Sequence, residues 1–245
     1  MRLVAAVATE REGTALVDIG ANVGDSVVLI RQALHMPILC VEGDELFLGL
    51  LRRNIADLPD VDIEEAFVAT GHDDRAPLHS VRREAGTAAL VPSSSGLPLR
   101  RPVRPLTDIL RAHPRFSSPG FLKIDTDGAD TRIIVNNKEI LARTRPVVFF
   151  EFDPNLAARS GDTDPCSAIT ALADAGYKGA LVYNNTGELM LVTDVTATPT
   201  WQDLVRYVLV RGLGHYYDVA AFHQNDQELF QRVSAAERQF FDHVT

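Results

Sequence analysis

Cysteine is scarce in this sequence, with only Cys40 and Cys166 among 245 residues. Two thiols do not make the disulfide framework of a small secreted domain, so we expect reduced cysteines in a cytoplasmic protein. Long apolar runs are also lacking, since no segment approaches the roughly 20 residues of a membrane-spanning helix. The apolar start is interrupted at Glu10, too early for a secretory signal peptide.

Positive charge is in short supply too. The formal net charge is −9, from 24 Lys and Arg against 33 Asp and Glu. A chain of this sign repels phosphate backbones and anionic lipids, so we expect neither nucleic acid nor a membrane among its partners. The 46% of hydrophobic residues is typical of an ordinary globular protein.

What the sequence does contain is an alternation of apolar strands and amphipathic helices. Strands are predicted at 16–19, 38–41, 61–69, 121–124 and 147–150.

The helices between these strands indicate an α/β fold with a mostly parallel sheet and helices on both faces. A turn at 184–187 predicts an antiparallel hairpin at one edge of the sheet. We therefore predict a single domain over 1–245, with a core at 15–192 and a C-terminal extension at 193–245 that packs on the core.

The first strand leads through a glycine-containing turn, Gly20-Ala21-Asn22-Val23-Gly24, into a predicted helix. Glycine lets the backbone approach a ligand closely, and the first N–H groups of a helix point at it. This segment therefore predicts a site for a nucleotide-like ligand.

Acidic residues end four of the predicted parallel strands, namely Asp18, Glu42, Asp125 and Glu151. In open α/β sheets, ligands bind at this edge. Each residue could instead cap the following helix. We favour a functional role for Asp18 and Glu42, and leave Asp125 and Glu151 open between the two explanations.

Two ligand classes fit a strand, a glycine turn and an acid after the second strand: a dinucleotide and S-adenosylmethionine. The dinucleotide fingerprint is Gly-x-Gly-x-x-Gly, whose second glycine admits the pyrophosphate. Asn22 stands in place of that glycine, and Asp18 precedes the turn. Both features favour a sulfonium carrying an amino group, while Glu42 could bind ribose hydroxyls in either case.

Four ordered blocks resemble those of the FkbM-type methyltransferase family. They lie at 17–24, at 41–44 with 53–54, at 106–110 with 122–130, and at 146–151.

The resemblance covers about residues 15–190. It implies a class I methyltransferase (Rossmann-like) fold, S-adenosylmethionine as donor, and O-methylation of a hydroxyl on a sugar or natural product. The chain departs from the family in its short segment before the first block, and in Gly43-Asp44 where the family often has proline.

By this resemblance, the turn from Gly20 to Gly24, including Asn22, is expected to hold the methionine portion of the donor, with Asp18 near its amino group. Glu42 is expected to hold the ribose, and Thr70-Gly71, after the third strand, to border the adenine.

Asp125 is predicted to be the catalytic residue, orienting the acceptor hydroxyl or taking its proton. The expected partner is a small-molecule or glycan acceptor. The main alternative is a nucleotide-binding or scaffold module that keeps the fold without catalysis.

A divalent metal is a further alternative, although we do not expect one. Its oxygen ligands would come from the ends of strands four and five, namely Asp125, Asp127, Glu151 and Asp153. The same carboxylates could simply cap helices or pair with Lys123. The Asp125-Thr126-Asp127 motif also resembles that of glycosyltransferases, but these enzymes do not need the preceding glycine turn.

Three other features have a simpler and a functional explanation. The loop at 92–105 is predicted to be solvated, although Arg100, Arg101 and Arg104 could clamp an anionic acceptor. His72 follows the segment expected beside the adenine. The C-terminal aromatic residues either pack on the sheet or form a homodimer surface or part of the acceptor pocket; they include Trp201, Tyr207, Tyr216, Tyr217, Phe222 and Phe230.

Overall fold

Ten α-helices lie in the part of the chain that the computed structural model describes, namely residues 2–11, 13–71, 79–84, 87–92, 101–212 and 214–242. They are α1 (Arg2–Glu10), α2 (Asp25–Arg31), α3 (Glu45–Asn54), α4 (Leu106–Ala112), α5 (Asp130–Asn136), α6 (Lys138–Thr144), α7 (Pro154–Arg159), α8 (Ser167–Asp174), α9 (Thr198–Arg211) and α10 (Gln227–Asp242). No helix within these ranges is long and apolar enough to cross a bilayer.

The strands form one large sheet and two small ones. They are β1 (Leu16–Ile19), β2 (Ile38–Val41), β3 (Val61–Glu64), β4 (Phe67–Val68), β5 (His79–Glu84), β6 (Thr87–Pro92), β7 (Val103–Arg104), β8 (Phe121–Ile124), β9 (Val147–Phe152), β10 (Tyr177–Asn184), β11 (Leu189–Asp194) and β12 (Tyr217–His223).

The large sheet has eight strands in the order β3-β2-β1-β8-β9-β12-β10-β11. The first five are parallel, whereas β12 runs antiparallel to both of its neighbours, β9 and β10. An antiparallel hairpin of β10 and β11 closes that edge. The predicted α/β architecture, mostly parallel with a hairpin at one edge, is confirmed.

The C-terminal segment takes a different place from the one predicted. Residues 193–245 do not simply pack on a finished core, because β12 lies inside the sheet and its residues Val219, Ala220 and Ala221 are fully buried. The buried centre of the strand is apolar without alternation, so the sequence does not reveal its place between two other strands. That the chain forms one domain stays a prediction.

Both faces of the sheet are covered, and the alternation of side chains along β1 decides which residues meet which face. Val17 and Ile19 join the hydrophobic cluster that includes buried residues of α5, α8 and α9. Leu16 joins the cluster formed with α1, α2, α3 and α10. Asp18 therefore points toward the second face, in the middle of a strand that is buried along its whole length.

The predicted third strand is interrupted. β3 ends at Glu64, and Phe67–Val68 leaves the sheet to pair with Val103–Arg104 as a separate parallel ribbon. Thr70-Gly71 therefore follows this ribbon and not the third strand of the sheet, which corrects the predicted position. Residues 93–100 of the predicted 92–105 loop lie outside the described residues.

Candidate active site

The turn after β1 is held against the end of β8. Gly20, Asn22 and Gly24 all have positive φ, at 80°, 50° and 84°. The Gly20 N–H donates to the Val41 carbonyl at 2.9 Å, and the Asp125 N–H donates to the Ile19 carbonyl at 2.9 Å. An added Cβ at Gly20 would stand 1.9 Å from the Asp125 carbonyl oxygen. Only glycine permits this approach, which brings the turn directly to Asp125.

Glu42 ties the end of β2 to the same turn. Its Oε2 accepts the Asn22 N–H at 2.9 Å, and its Oε1 accepts the Asp44 N–H at 2.7 Å. The residue is 7% exposed, and burial raises the pKa of its carboxyl. A carboxylate oxygen has lone pairs for more than one donor. Glu42 can therefore hold the turn and accept ligand hydroxyls with the same two atoms.

Asp18, Lys123 and Asp125 form a chain of ion pairs across β1 and β8. Asp18 and Lys123 are partners in the parallel register, so their side chains lie on one face. The Lys123 Nζ is 3.2 Å from Asp18 Oδ1 and 2.9 Å from Asp125 Oδ2. Asp18 is 0% exposed, whereas the Asp125 side chain is 48% exposed. The lysine thus connects a buried carboxylate with one that faces solvent.

Two of these ion-pairing groups, Asp18 and Lys123, have shifted pKa values. Burial raises the pKa of Asp18, and Lys123 offsets part of that rise. Burial also works to lower the pKa of Lys123, but the two aspartates outweigh it and raise the pKa. The second oxygen of Asp18, Oδ2, is buried and finds no hydrogen-bond partner among the described residues.

More acids crowd the same edge of the sheet. Asp218 of β12 is the register partner of Glu151 in β9. Burial, together with the charges of nearby aspartates, raises the pKa of Glu151 to about 9 and that of Asp218 to about 7. A carboxyl with a pKa of about 9 is protonated at neutral pH. Glu151 therefore presents a hydroxyl donor and not a second anion beside Asp125.

The loop after β8 is organised by Asp130. Its Oδ2 accepts the Thr126 hydroxyl at 2.8 Å and the Gly128 N–H at 3.3 Å. Asp127 and Gly128 have positive φ as the backbone winds around this carboxylate. Burial raises the pKa of Asp130 to about 6. The loop is thus held by an internal acid that sequence reasoning missed.

The possible metal ligands do not assemble. No group of three or more His, Cys, Asp or Glu side chains with metal-binding geometry occurs within the described ranges. Asp153 caps α7 instead, because its Oδ1 accepts the N–H groups of Asn155 and Leu156 at 2.8 and 3.2 Å. The capping explanation holds for this residue.

A known family model matches the part of the chain that forms this site. The model of the methyltransferase FkbM domain matches residues 18–178, which is more than half of the chain and spans the turn, Glu42 and the Lys123 chain of ion pairs. The chain belongs to the FkbM methyltransferase family. The resemblance found in the sequence is thereby confirmed, and with it the class I methyltransferase architecture of the sheet.

Three solved methyltransferase structures resemble this FkbM chain distantly. Cofactor-bound Rv0187 from MTB is 13% identical with a TM-score of 0.48, over 91% of this chain and 78% of the other. Precorrin-6y C5,15-methyltransferase from Geobacter metallireducens GS-15 is 13% identical with a TM-score of 0.44, over 90% and 85%. Geranyl diphosphate methyltransferase in complex with SAM is 13% identical with a TM-score of 0.40, over 86% and 78%. No curated protein gives a significant sequence match.

The residues at the edge fit the donor that the FkbM family implies. Asp18 Oδ2 is a buried acceptor without a partner in the described structure, and lies beside the turn expected to hold an amino acid. Glu42 offers two acceptor oxygens for ribose hydroxyls. The Phe67 ring packs directly on Gly43, where an added Cβ would lie 2.4 Å from the ring. This contact accounts for glycine at a position where the family often has proline.

Thr70 and Gly71 lie against the end of α5. The Thr70 carbonyl accepts a hydrogen bond from the side chain of Asn136, the last residue of α5. The adenine contact stays a prediction. His72 lies outside the described residues.

The arginines of the 92–105 loop are not freely solvated where the structure describes them. Arg101 pairs with Glu45 at 3.1 Å and with Glu65 at 2.9 Å. Arg104 pairs with Glu64 at 2.6 Å. Their charges are already neutralised, so they are poor candidates for an anion clamp; Arg100 lies outside the described residues.

The C-terminal aromatic residues mostly build the core. Trp201 is 1% exposed and meets Phe152 edge-on at 5.8 Å between ring centroids. Phe222 packs on Phe230 at 5.4 Å. Tyr207 is the exception, at 49% exposure on α9. The simpler explanation therefore holds for most of this set, and a homodimer surface stays a prediction.

Besides Asp130, two residues of the edge were given no site role from the sequence, Lys123 and Asp218. A signal for Lys123 existed, since Asp18 and Lys123 are the charged residues of two four-residue strands that are otherwise apolar. Two such charges must pair if their strands are neighbours, but the sequence does not show that these two strands are neighbours. Asp218 gave no comparable signal, because its strand was not placed in the sheet.

Proposed function

We propose that this protein is an S-adenosylmethionine-dependent O-methyltransferase acting on a hydroxyl of a sugar or natural product. The observation that carries the proposal is the contact between the Gly20 turn and the end of β8. It puts Asp125, half-exposed and held by Lys123 through one oxygen, next to the backbone expected to bind the donor. A binding site and a group able to accept a proton thus share one edge.

The mechanism needs little from the protein beyond alignment. Bound S-adenosylmethionine supplies a methyl group already activated by its sulfonium. Holding donor and acceptor in line converts a bimolecular step into an effectively unimolecular one. The Gly20–Gly24 turn, Asp18 and Glu42 bind and orient the donor.

Asp125 orients the acceptor. Its Oδ2 is engaged by Lys123, and its Oδ1 is left for the acceptor hydroxyl and the proton that leaves it. Glu151 in β9, the strand beside β8, and its register partner Asp218 in β12 are close enough to Asp125 for its charge to raise both of their pKa values. They offer a proton donor and a further acceptor to the other hydroxyls of a polyhydroxylated molecule, which supports a sugar or glycan as the partner.

Two free cysteines, Cys40 and Cys166, support a reducing compartment, and we place the protein in the cytoplasm. The net charge of −9 supports a small-molecule acceptor over nucleic acid or a membrane.

Calorimetry with S-adenosylmethionine and S-adenosylhomocysteine tests the donor site. If neither ligand binds, a non-catalytic module that keeps the fold replaces the enzyme. Transfer is then measured as S-adenosylhomocysteine release with a panel of monosaccharides and nucleotide sugars, at saturating donor. We expect Asp125→Asn to lower turnover on an active acceptor at least tenfold, and a variant with unchanged turnover would remove Asp125 from the mechanism.

A further inference from the structure

Lys123 occupies an unusual position between two carboxylates of different exposure. Its ammonium contacts Asp18 Oδ1 at 3.2 Å and Asp125 Oδ2 at 2.9 Å, and its side chain is only 16% exposed. The three groups carry two negative charges and one positive charge when ionised. One cation is thus shared by two anions, one of them fully buried.

One oxygen of the buried anion has no hydrogen-bond partner in the described structure. Asp18 Oδ2 is enclosed, lacks a hydrogen-bond partner in the described structure, and is adjacent to the turn through Ile19 and Gly20. An unsatisfied buried carboxylate oxygen is costly, and a cation placed beside it recovers that cost. An ammonium arriving there would compete with Lys123 for the charge of Asp18.

We propose that Lys123 is a positioning residue whose ammonium couples donor binding at Asp18 to the position of Asp125. With the site empty, Lys123 serves both carboxylates. When a ligand ammonium neutralises Asp18, Lys123 pairs more strongly with Asp125. The stronger ion pair holds the Asp125 carboxylate in position for the acceptor. The inference rests on the proposed function, because it takes the amino group of the donor to lie near Asp18.

Coupling of this kind is reciprocal: if donor binding strengthens the Lys123–Asp125 pair, then removing Asp125 must weaken donor binding. In Asp125→Asn the lysine charge falls on Asp18 alone and opposes the incoming ammonium. The matched ligands are S-adenosylhomocysteine, which has the ammonium, and methylthioadenosine, which lacks the whole amino-acid portion.

Calorimetry on the full chain gives the first test. We expect Asp125→Asn to weaken S-adenosylhomocysteine about fivefold, at the low end for coupled sites because Asp125 is half-exposed. Methylthioadenosine should bind equally well to both proteins. Asp203→Asn, which removes a 71%-exposed carboxylate on α9, is the control and should change neither affinity. Equal loss for both ligands, or no loss, overturns the proposal.

A double-mutant cycle separates coupling through Lys123 from a direct effect of the Asp125 charge. In a Lys123→Met background, Asp125→Asn should leave S-adenosylhomocysteine affinity unchanged, whereas a fivefold loss that persists there would refute the role of Lys123. Should Lys123→Met not fold, the same cycle is measured in a Lys123→Gln background, which also removes the charge but keeps hydrogen-bond donors beside both aspartates. If the wild-type protein binds neither ligand, the proposed function fails first, and this outcome is distinct from a negative cycle.

Discussion

Replacing Gly20 with alanine is the sharpest perturbation that the structure offers. The new Cβ would lie 1.9 Å from the Asp125 carbonyl oxygen and 2.8 Å from its carbonyl carbon. Both atoms are backbone, so no side chain can rotate away. The turn after β1 and the end of β8 must move apart by more than 1 Å to reach the 3.0 Å that real Cβ contacts respect.

The cost has two sources. A non-glycine residue at a φ of 80° loses about 1–2 kcal/mol. Forcing atoms into a packed region costs roughly 1–3 kcal/mol more. We therefore expect the free energy of unfolding to fall by about 2–5 kcal/mol, or about 4–20 °C in Tm for a chain of this size. Because the displacement separates the turn from Asp125, donor affinity should fall as well.

Two alanine variants isolate the sources. Gly13 has a φ of 72° but nothing within 4 Å of an added Cβ, so Gly13→Ala should lose only the backbone part, about 1–2 kcal/mol. Gly49 lies within α3 with open space around it, and Gly49→Ala should gain about 0.5–1 kcal/mol. Urea denaturation of the three variants, with S-adenosylhomocysteine calorimetry, makes the comparison. If Gly20→Ala is no less stable than Gly13→Ala, the close approach of turn and β8 is wrong.

Three other changes have directed outcomes. Glu42→Ala leaves two backbone N–H groups without their acceptor and removes the proposed ribose partner, so S-adenosylhomocysteine affinity should fall at least tenfold by calorimetry. Glu45→Ala, which removes a partly exposed carboxylate paired with Arg101 at the start of α3, serves as its control. Asp44→Ala removes the N-cap of α3, whose side chain accepts a hydrogen bond from the Leu46 N–H. The free energy of unfolding should therefore fall by about 1 kcal/mol in urea denaturation. The pKa of Glu151 is about 9 in the folded state, raised from 4.5, so between these pH values the folded state holds a proton that the unfolded state releases, and the free energy of unfolding should decline from pH 4.5 to 9. Glu151→Gln should flatten that decline and raise the free energy of unfolding by about 1 kcal/mol or more over wild type at pH 8. An unchanged pH profile would contradict the burial of this carboxyl.

The sequence sufficed for the parallel half of the fold because each of its strands is a short apolar run bounded by turn residues. The predicted bounds of β1, β2 and β8 coincide with the observed ones. The third strand was predicted too long, because Phe67–Val68 continues the apolar pattern after a change of partner. Alternation of residue types reports burial and not the identity of the neighbouring strand, so the departure of this segment to pair with β7 could not be inferred.

The same limit explains what was found of the site. Asp18 and Glu42 could be proposed as site residues because each lies in a block that resembles the FkbM family, Asp18 before the glycine turn and Glu42 at the end of the second strand. Lys123 was considered only as an incidental partner of carboxylates, since a lysine in an apolar strand does not show which acid it faces. That needs the register of β1 against β8, which pairs Asp18 with Lys123.

The two halves of the site differ in how the chain builds them. The half proposed to bind the donor comes largely from one continuous turn and the next strand end, so a short motif suffices to encode it. The half proposed to bind the acceptor is assembled from β8, β9 and β12, and Asp218 reaches Glu151 only because a C-terminal strand enters the middle of the sheet. The proposed acceptor half therefore depends on side chains from strands that are far apart in the sequence, whereas the turn is fixed by the close approach of Gly20 to Asp125.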